Sequence, residues 1–309
     1  MKSTPFAVAI VCGLVAALFY VSVLTGSLGA TLILFYLTQF PLFLAGLSLG
    51  LPGAVVAAAT AGIATLPAGG FGAGFVVLAL PVVILVGQAL RRRGGVRAVW
   101  NPPGRLVLSL VLTGAVALLG VAALYGPEPG GLRGAVHHLL ETVADEILRM
   151  IPDVAPANAG ASAADLLTPV FPAVVIGWWL VLTAVNGALA QGALASFRLN
   201  RRPAPDMAQL TLPRWLTGLL AACALLGATA PGGWGYIGLN LAIVLALAYV
   251  LAGLSVLHAA LRRFPRRLFI LIPAYLLLPL GWPALLLAAC GIVDQWFGLR
   301  PRLAAPCPA

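Results

Sequence analysis

The sequence predicts an all-α protein, a polytopic transmembrane helical bundle of about 8–10 membrane segments with one external amphipathic helix. Hydrophobic residues make up 61% of the chain and charged residues only 8%, whereas soluble proteins are about one quarter charged. The apolar residues lie in runs of about 20, the length that crosses a bilayer as a helix. Because no polar linker divides these runs into two domains, we interpret residues 1–309 as a single integral membrane domain with one extramembrane insertion, residues 127–167.

The distribution of charge predicts on which side of the membrane each connection lies. Six of the eight acidic residues, but only two of the eighteen basic ones, lie between Pro127 and Leu167. The other basic residues occupy the chain ends and three arginine-rich connectors. Because short cytoplasmic connections collect Lys and Arg, we expect loop 127–167 to be external and both termini to be cytoplasmic. The net charge of +10 then reflects topology and does not indicate nucleic-acid binding.

Ten apolar segments follow one another along the chain. The first eight are predicted at Phe6–Thr25, Thr31–Leu49, Gly53–Leu66, Phe71–Leu90, Leu106–Tyr125, Thr168–Ala190, Trp215–Thr229 and Tyr236–His258. The stretch Leu268–Phe297 is too long for one straight crossing and short for two, so we predict two segments hinged near Gly281-Trp282-Pro283. Four crossings return the chain to the cytoplasm at Arg91-Arg92-Arg93, as the charge rule requires.

The acidic loop contains the amphipathic helix. Leu, Val and Ile residues recur there at steps of three and four positions between residues 132 and 151, and Pro152 ends the pattern. We expect the apolar face of this helix to rest on the bundle or on the lipid surface. The following segment, Asp153–Asp165, is rich in Ala, Pro, Asn, Gly and Ser, and we predict irregular structure for it.

A few polar residues interrupt the apolar segments. Gln39, Asn186 and Asn240 are the candidates for a substrate site, because polar groups at membrane depth usually face the bundle interior or a wet cavity. The simpler interpretation is that each amide makes a hydrogen bond between helices. The carboxylate of Asp294 needs a structural polar contact, which we expect His258 or Arg214 to supply. The alternative is that it only reaches interfacial water, with Arg300 nearby.

Two further patterns each allow two interpretations. Ala9, Gly13 and Ala17, four residues apart on the first segment, predict either docking of a membrane partner or close packing within the bundle. The arginine clusters predict either a binding site, for anionic lipid heads or for a cytoplasmic partner, or, as the second interpretation, topology alone. In both cases we favour the second interpretation, because small residues are common in membrane helices and every cluster flanks an apolar segment.

The sequence predicts no catalytic or metal site. His137, Glu141 and Asp145 share the polar face of the loop helix, but no H-E-x-x-H motif is present and the loop holds only one further histidine, His138. There is no G-x-S-x-G motif, and the four cysteines lack the spacing of metal ligands. We therefore expect a protein that is not an enzyme, with no metal and no cofactor.

Three short patterns in the C-terminal third resemble a known family. They are Leu212-Pro213-Arg214-Trp215, Gly238-Leu239-Asn240, and Gly291-Ile292-Val293-Asp294 followed by Arg300. With these patterns the sequence resembles the YybS-like family of bacterial membrane proteins, a domain-of-unknown-function group. That family is distantly similar to the S components of energy-coupling-factor transporters and to the rod-shape protein MreD.

The resemblance implies a multi-pass protein of the bacterial inner (cytoplasmic) membrane. It implies an S-component-like subunit that binds a small molecule or a lipid within a transport or envelope assembly. S components dock on a partner subunit through small residues of the first helix, which here would be Ala9, Gly13 and Ala17. The alternative is a scaffold of the MreD type, which binds no ligand and holds the partners of cell-envelope synthesis.

The topology can be tested by labelling cysteines in intact cells with a reagent that does not cross the membrane. We expect Ala157→Cys, in the acidic loop, to react and Ala204→Cys, in the second arginine connector, to stay unlabelled until the cells are lysed. The reverse pattern would invert the predicted orientation.

Overall fold

The chain is helical nearly throughout the part that the structure describes. This computed structural model describes residues 4–24, 28–93, 99–126, 129–150, 159–262, 264–278 and 281–304. Its helices are α1 (Thr4–Val21), α2 (Leu28–Tyr36), α3 (Gln39–Leu49), α4 (Leu51–Thr65), α5 (Gly69–Ala89), α6 (Pro103–Tyr125), α7 (Gly131–Met150), α8 (Ala159–Leu167), α9 (Phe171–Ser196), α10 (Arg214–Thr229), α11 (Gly232–Leu261), α12 (Leu268–Leu277), α13 (Trp282–Phe297) and α14 (Leu299–Ala304). Arg92–Arg93 (β1) and Val99–Trp100 (β2) form a short antiparallel pair. The predicted all-α bundle is confirmed.

Six stretches of the described residues are long and apolar enough to cross a membrane. They are Pro5–Leu24, Leu32–Leu49, Leu51–Ala89, Pro103–Tyr125, Phe171–Ser196 and Gly232–Leu261. The pair α12 and α13, bent by 113°, makes a seventh if it is counted as one broken span. Gly281 precedes α13 with a φ of 81°, a conformation that glycine adopts readily, and Pro283 lies in the first turn. The helices therefore break at the predicted hinge.

α4 and α5 form an antiparallel hairpin, so the 39-residue stretch Leu51–Ala89 contains two of the predicted segments. At the turn, Thr65 Oγ1 donates to Gly72 O at 3.2 Å. At the far end, a Cβ built on Gly87 would lie 3.6 Å from a methyl of Leu51. The start of α4 and the end of α5 therefore lie side by side.

The contacts between residues group the chain into two compact units. Unit 1 comprises Met1–Leu110 and Trp179–Gln209, and unit 2 comprises Val111–Trp178 and Leu210–Ala309. α6 and α9 each contribute residues to both units. The single integral membrane domain expected from the sequence stays a prediction.

The core of unit 1 combines many alanines with a few large side chains. Leu42, Phe75, Val82 and Val86 are fully buried there, with alanines of α1, α3 and α4 around them. A Cβ on Gly46 would lie only 2.6 Å from Val86 Cγ2, so α3 and α5 approach more closely than larger residues allow. Close van der Waals contact between small residues is what holds helices together in lipid, where the hydrophobic effect contributes little.

In unit 2, α11 packs against α13 through two glycines. A Cβ on Gly253 would collide with the backbone carbonyl of Leu287, and one on Gly291 would collide with that of Tyr249. The two backbones are therefore in direct contact, the arrangement that small residues permit in membrane helices.

α7 is the amphipathic helix that the sequence predicts, and half of its apolar face is covered. Leu132, Val136 and Leu140 are buried in a cluster with Leu118 and Ala122 of α6, Ala164 of α8 and Tyr236 of α11. Further along the same face Val143 and Ile147 are exposed, as is Leu139 at its edge. The bundle thus covers the first half of the apolar face.

α8 corrects one expectation from the sequence. The segment Asp153–Asp165 was expected to be irregular, but residues from Ala159 onward form a helix. Ala159-Gly-Ala-Ser-Ala-Ala is rich in alanine, the strongest helix former. The helix-breaking Pro156 and the turn-favouring Asn158 precede α8 and lie outside the described residues.

The packing of α7 predicts different effects for two adjacent leucines. Leu140→Ala removes a buried side chain and should reduce the stability of the docked helix by about 2–5 kcal/mol. Leu139→Ala alters a side chain that is 50% exposed. It should change the stability of the docked helix by only about 0.5 kcal/mol. Amide hydrogen exchange over residues 131–150 in lipid nanodiscs measures both, and equal protection in the two variants would contradict this packing.

Candidate binding site at the break between α2 and α3

The second predicted segment is not a continuous helix, because α2 ends at Tyr36 and α3 begins at Gln39. Pro41 explains the break: it has no N–H to donate, and its ring clashes with the carbonyl four residues earlier. The chain tightens into a turn in which Phe40 N donates to Leu37 O at 3.0 Å.

Asn186 on α9 bonds to the backbone at this break. Its Nδ2 donates to Tyr36 O and to Leu182 O, each at 2.8 Å. The side chain is 1% exposed, and its Oδ1 has no hydrogen-bond partner. The next residue, Gly187, packs against the Phe43 ring, since a Cβ there would lie 3.3 Å from Cζ. α9 therefore lies directly against α3.

Gln39 begins α3 on the other side of the break. It is 3% exposed, and its Nε2 donates to Leu78 O of α5 at 2.7 Å. Its Oε1 has no partner, and neither does Oγ1 of the fully buried Thr38 beside it. Three buried oxygen atoms on residues at the break, those of Thr38, Gln39 and Asn186, thus have no hydrogen-bond partner among the residues that the structure describes.

Such an arrangement favours a ligand that brings hydrogen-bond donors. Each buried acceptor left without a donor costs about 1–3 kcal/mol. A bound hydroxyl, ammonium or amide N–H, or a cation coordinated by the amide oxygens, would recover that energy. Interrupted helices form the substrate and ion sites of many membrane transporters, since the broken backbone there adds further polar groups.

Asn240, the third candidate for substrate binding, has a structural role in unit 2. It is fully buried; its Oδ1 accepts from Ala173 N at 2.9 Å, and its Nδ2 donates to Pro169 O and Tyr236 O. Both N–H groups and the carbonyl oxygen of the side chain are therefore engaged. These bonds fix the proline-containing start of α9, where backbone groups lack helical partners.

The structure gives Asp294 a partner other than the two that the sequence suggested. The carboxylate is buried, and it accepts from Arg300 N at 2.9 Å and from Arg300 Nε at 2.7 Å. α13 ends at Phe297, and Gly298 in the left-handed conformation turns the chain back. That turn brings Arg300 onto Asp294.

His258 and Arg214 make other contacts. His258 lies 2.9 Å from Leu254 O through Nδ1, and the guanidinium of Arg214 lies over the Trp296 ring at 5.6 Å. Within the described part of the chain, neither forms an ion pair with Asp294. The expectation that one of them pairs with Asp294 is wrong.

The small residues of the first segment pack inside unit 1. Ala9, Gly13 and Ala17 are all buried, and a Cβ on Gly13 would lie 2.5 Å from Ala57 O of α4. The face that the sequence offered for docking a partner is therefore covered by the chain itself, because α4 needs the same close approach that a partner helix would need.

A comparison with known protein families assigns the chain to one of them. Residues 9–295 match the family of predicted membrane proteins DUF2232. The chain belongs to this family. The assignment agrees with the YybS-like membrane domain of unknown function that the sequence resembles. No curated protein and no solved structure matches.

In this DUF2232 chain, two arginines of the second connector cap helices, a role that the sequence analysis did not predict. Arg202 is 5% exposed, and its Nη1 donates to Ala89 O at the end of α5 at 2.8 Å. Arg201 Nε donates to Ser48 O near the end of α3 at 2.7 Å. Helix C-termini attract cations and leave carbonyls unpaired, so both contacts are favourable. Burial lowers the pKa of the Arg202 guanidinium.

The polar face of α7 holds His137 between two carboxylates. His137 Nε2 lies 3.1 Å from Asp165 Oδ1 of α8, and Nδ1 lies 3.5 Å from Glu141 Oε2. Among the residues that the structure describes, no group of three or more His, Cys, Asp or Glu side chains could hold a metal ion. The contact of His137 with Asp165 joins α7 to α8.

The Asp294–Arg300 pair gives a stability prediction. Asp294→Asn keeps the size of the side chain but leaves a largely buried guanidinium without its counter-charge. The free energy of unfolding should fall by about 3 kcal/mol, measured by thermal or denaturant unfolding in detergent. His258→Gln, which touches no member of the pair, should stay within about 0.5 kcal/mol of the wild type. A loss in His258→Gln as large as that in Asp294→Asn would contradict the assignment.

Proposed function

We propose that this DUF2232 protein is a non-enzymatic binding subunit of a transport or envelope assembly, which takes a small molecule at the α2–α3 break. The observation that carries the proposal is the set of three buried oxygens on Thr38, Gln39 and Asn186 for which the described part of the chain supplies no hydrogen-bond partner. Their chemistry selects a small molecule that presents hydrogen-bond donors or a positive charge.

The position of the site supports this role. The break lies within Leu32–Leu49, a stretch apolar enough to cross a membrane, and hydrogen bonds join it to Asn186 of α9 and Leu78 of α5. An unpaired polar group destabilises a protein more in lipid than in water. These residues therefore reduce the stability of the fold unless a ligand bonds to them. As its location we propose the bacterial inner membrane, which the resemblance to the YybS-like family implies, with both termini cytoplasmic because of the arginine connectors.

The alternative is a scaffold of the MreD type that binds no small molecule. Two observations favour the scaffold. The side chain of Asn240 uses all of its hydrogen-bonding groups within the chain, and Asp294 pairs with Arg300, so these buried polar residues have structural roles. In a scaffold the three oxygens would hold only water.

Native mass spectrometry of the full-length protein, released from gentle detergent, tests the proposal. We expect the wild type to retain a co-purifying small molecule at one per chain. Gln39→Met keeps the side-chain length and removes the Oε1 acceptor, so retention should fall about tenfold.

Gln191→Met is the matched control, since Gln191 is a buried glutamine of the same unit that donates to Arg202 O. It should keep the bound molecule. A wild-type protein that retains no small molecule under any mild release condition would favour the scaffold, and equal loss in both variants would remove the α2–α3 break as the site.

A further inference from the structure

A second feature of unit 1 is a groove at the open end of the α4–α5 hairpin. It measures about 480 Å³ and is lined by the apolar side chains of Leu51, Val83, Ile84 and Leu90. Gly87 forms its floor, where the missing side chain leaves room beside the Leu51 methyls. Its remaining wall is polar and carries Gln88 and Arg91.

Arg91 is the one charged residue among those that line the groove. Arg91 is exposed there and forms no ion pair with any residue that the structure describes. α4 starts where α5 ends, so the positive end of the α4 dipole lies beside the negative end of the α5 dipole, which Arg202 caps. Arg201 also reaches this end, with Nη1 beside Gly50, the residue before α4.

The charge of the whole unit is not compensated within it. The sequence of unit 1 contains nine Lys and Arg residues and a single acid, Asp206. That carboxylate accepts from Ala208 N and Gln209 Nε2. An anion from outside the chain is therefore the natural partner for this surface.

We propose that the groove binds one anionic phospholipid, with acyl-chain carbons along Leu51, Val83 and Ile84 and the headgroup phosphate at Arg91. The apolar wall excludes a free phosphate as the preferred ligand, because phosphate would leave that wall uncovered. The excess of arginine excludes a zwitterionic lipid as an equal ligand. This lipid site is separate from the α2–α3 break and does not depend on the function proposed there.

The test uses the full-length protein in detergent, with added phosphatidylglycerol or phosphatidylcholine of identical acyl chains, followed by native mass spectrometry. The wild type should hold one phosphatidylglycerol more tightly than any phosphatidylcholine. Arg91→Gln should weaken phosphatidylglycerol binding about fivefold. Gly87→Leu should weaken it at least as much by filling the groove, and a Cβ at Gly87 meets only ordinary contacts, so the helix tolerates the change.

Two controls separate this site from general effects of charge and shape. Arg105→Gln removes one exposed positive charge from the same unit without touching the groove, and Gly120→Leu fills open space on α6. Both should bind phosphatidylglycerol like the wild type. Equal binding of the two lipids, equal effects of Arg91→Gln and Arg105→Gln, or displacement of the lipid by inorganic phosphate would each overturn the proposal.

Discussion

In a lipid environment each backbone N–H and C=O must find its partner inside the protein, and this chain interrupts its helices at several places where that requirement is acute. At three of these places a side chain among the described residues bonds to the exposed backbone. Asn186 bonds to the carbonyl at the α2–α3 break, Asn240 holds the start of α9, and Arg202 caps the end of α5. The buried polar residues of the two units are mainly the groups that make broken helices tolerable.

Of the five buried side-chain atoms that have no hydrogen-bond partner among the described residues, three belong to residues at the α2–α3 break and the other two to Asn101 and Trp179. At the start of α9, Asn240 uses its carbonyl and both N–H groups on the backbone. At the break, Gln39 and Asn186 use only their N–H groups, and their oxygens remain without donors. A position where the protein completes only half of its hydrogen bonds differs in kind from one where it completes all of them.

The sequence predicts the helices well because their length and polarity are set by the bilayer, and ten apolar runs coincide with helices of the structure. Prediction from the sequence fails where a single residue changes the direction of the chain. Pro41 breaks a run that hydropathy shows as continuous, and Gly298 turns Arg300 back onto Asp294. Gln39 and Asn186 could be selected as candidates but not distinguished from Asn240, because the carbonyl that Asn186 bonds lies 150 residues away. No local pattern encodes a partner at that distance.

The contact between Arg202 and Ala89 has a consequence for the order of assembly during synthesis. The two residues are 113 positions apart, which takes a ribosome roughly 6 to 23 s at about 5–20 residues per second. Throughout that interval the carboxyl end of α5 has been made, but the arginine that caps it has not. Unit 1 therefore cannot be completed as it emerges from the ribosome, and it stays open while residues 111–178 of unit 2 are inserted.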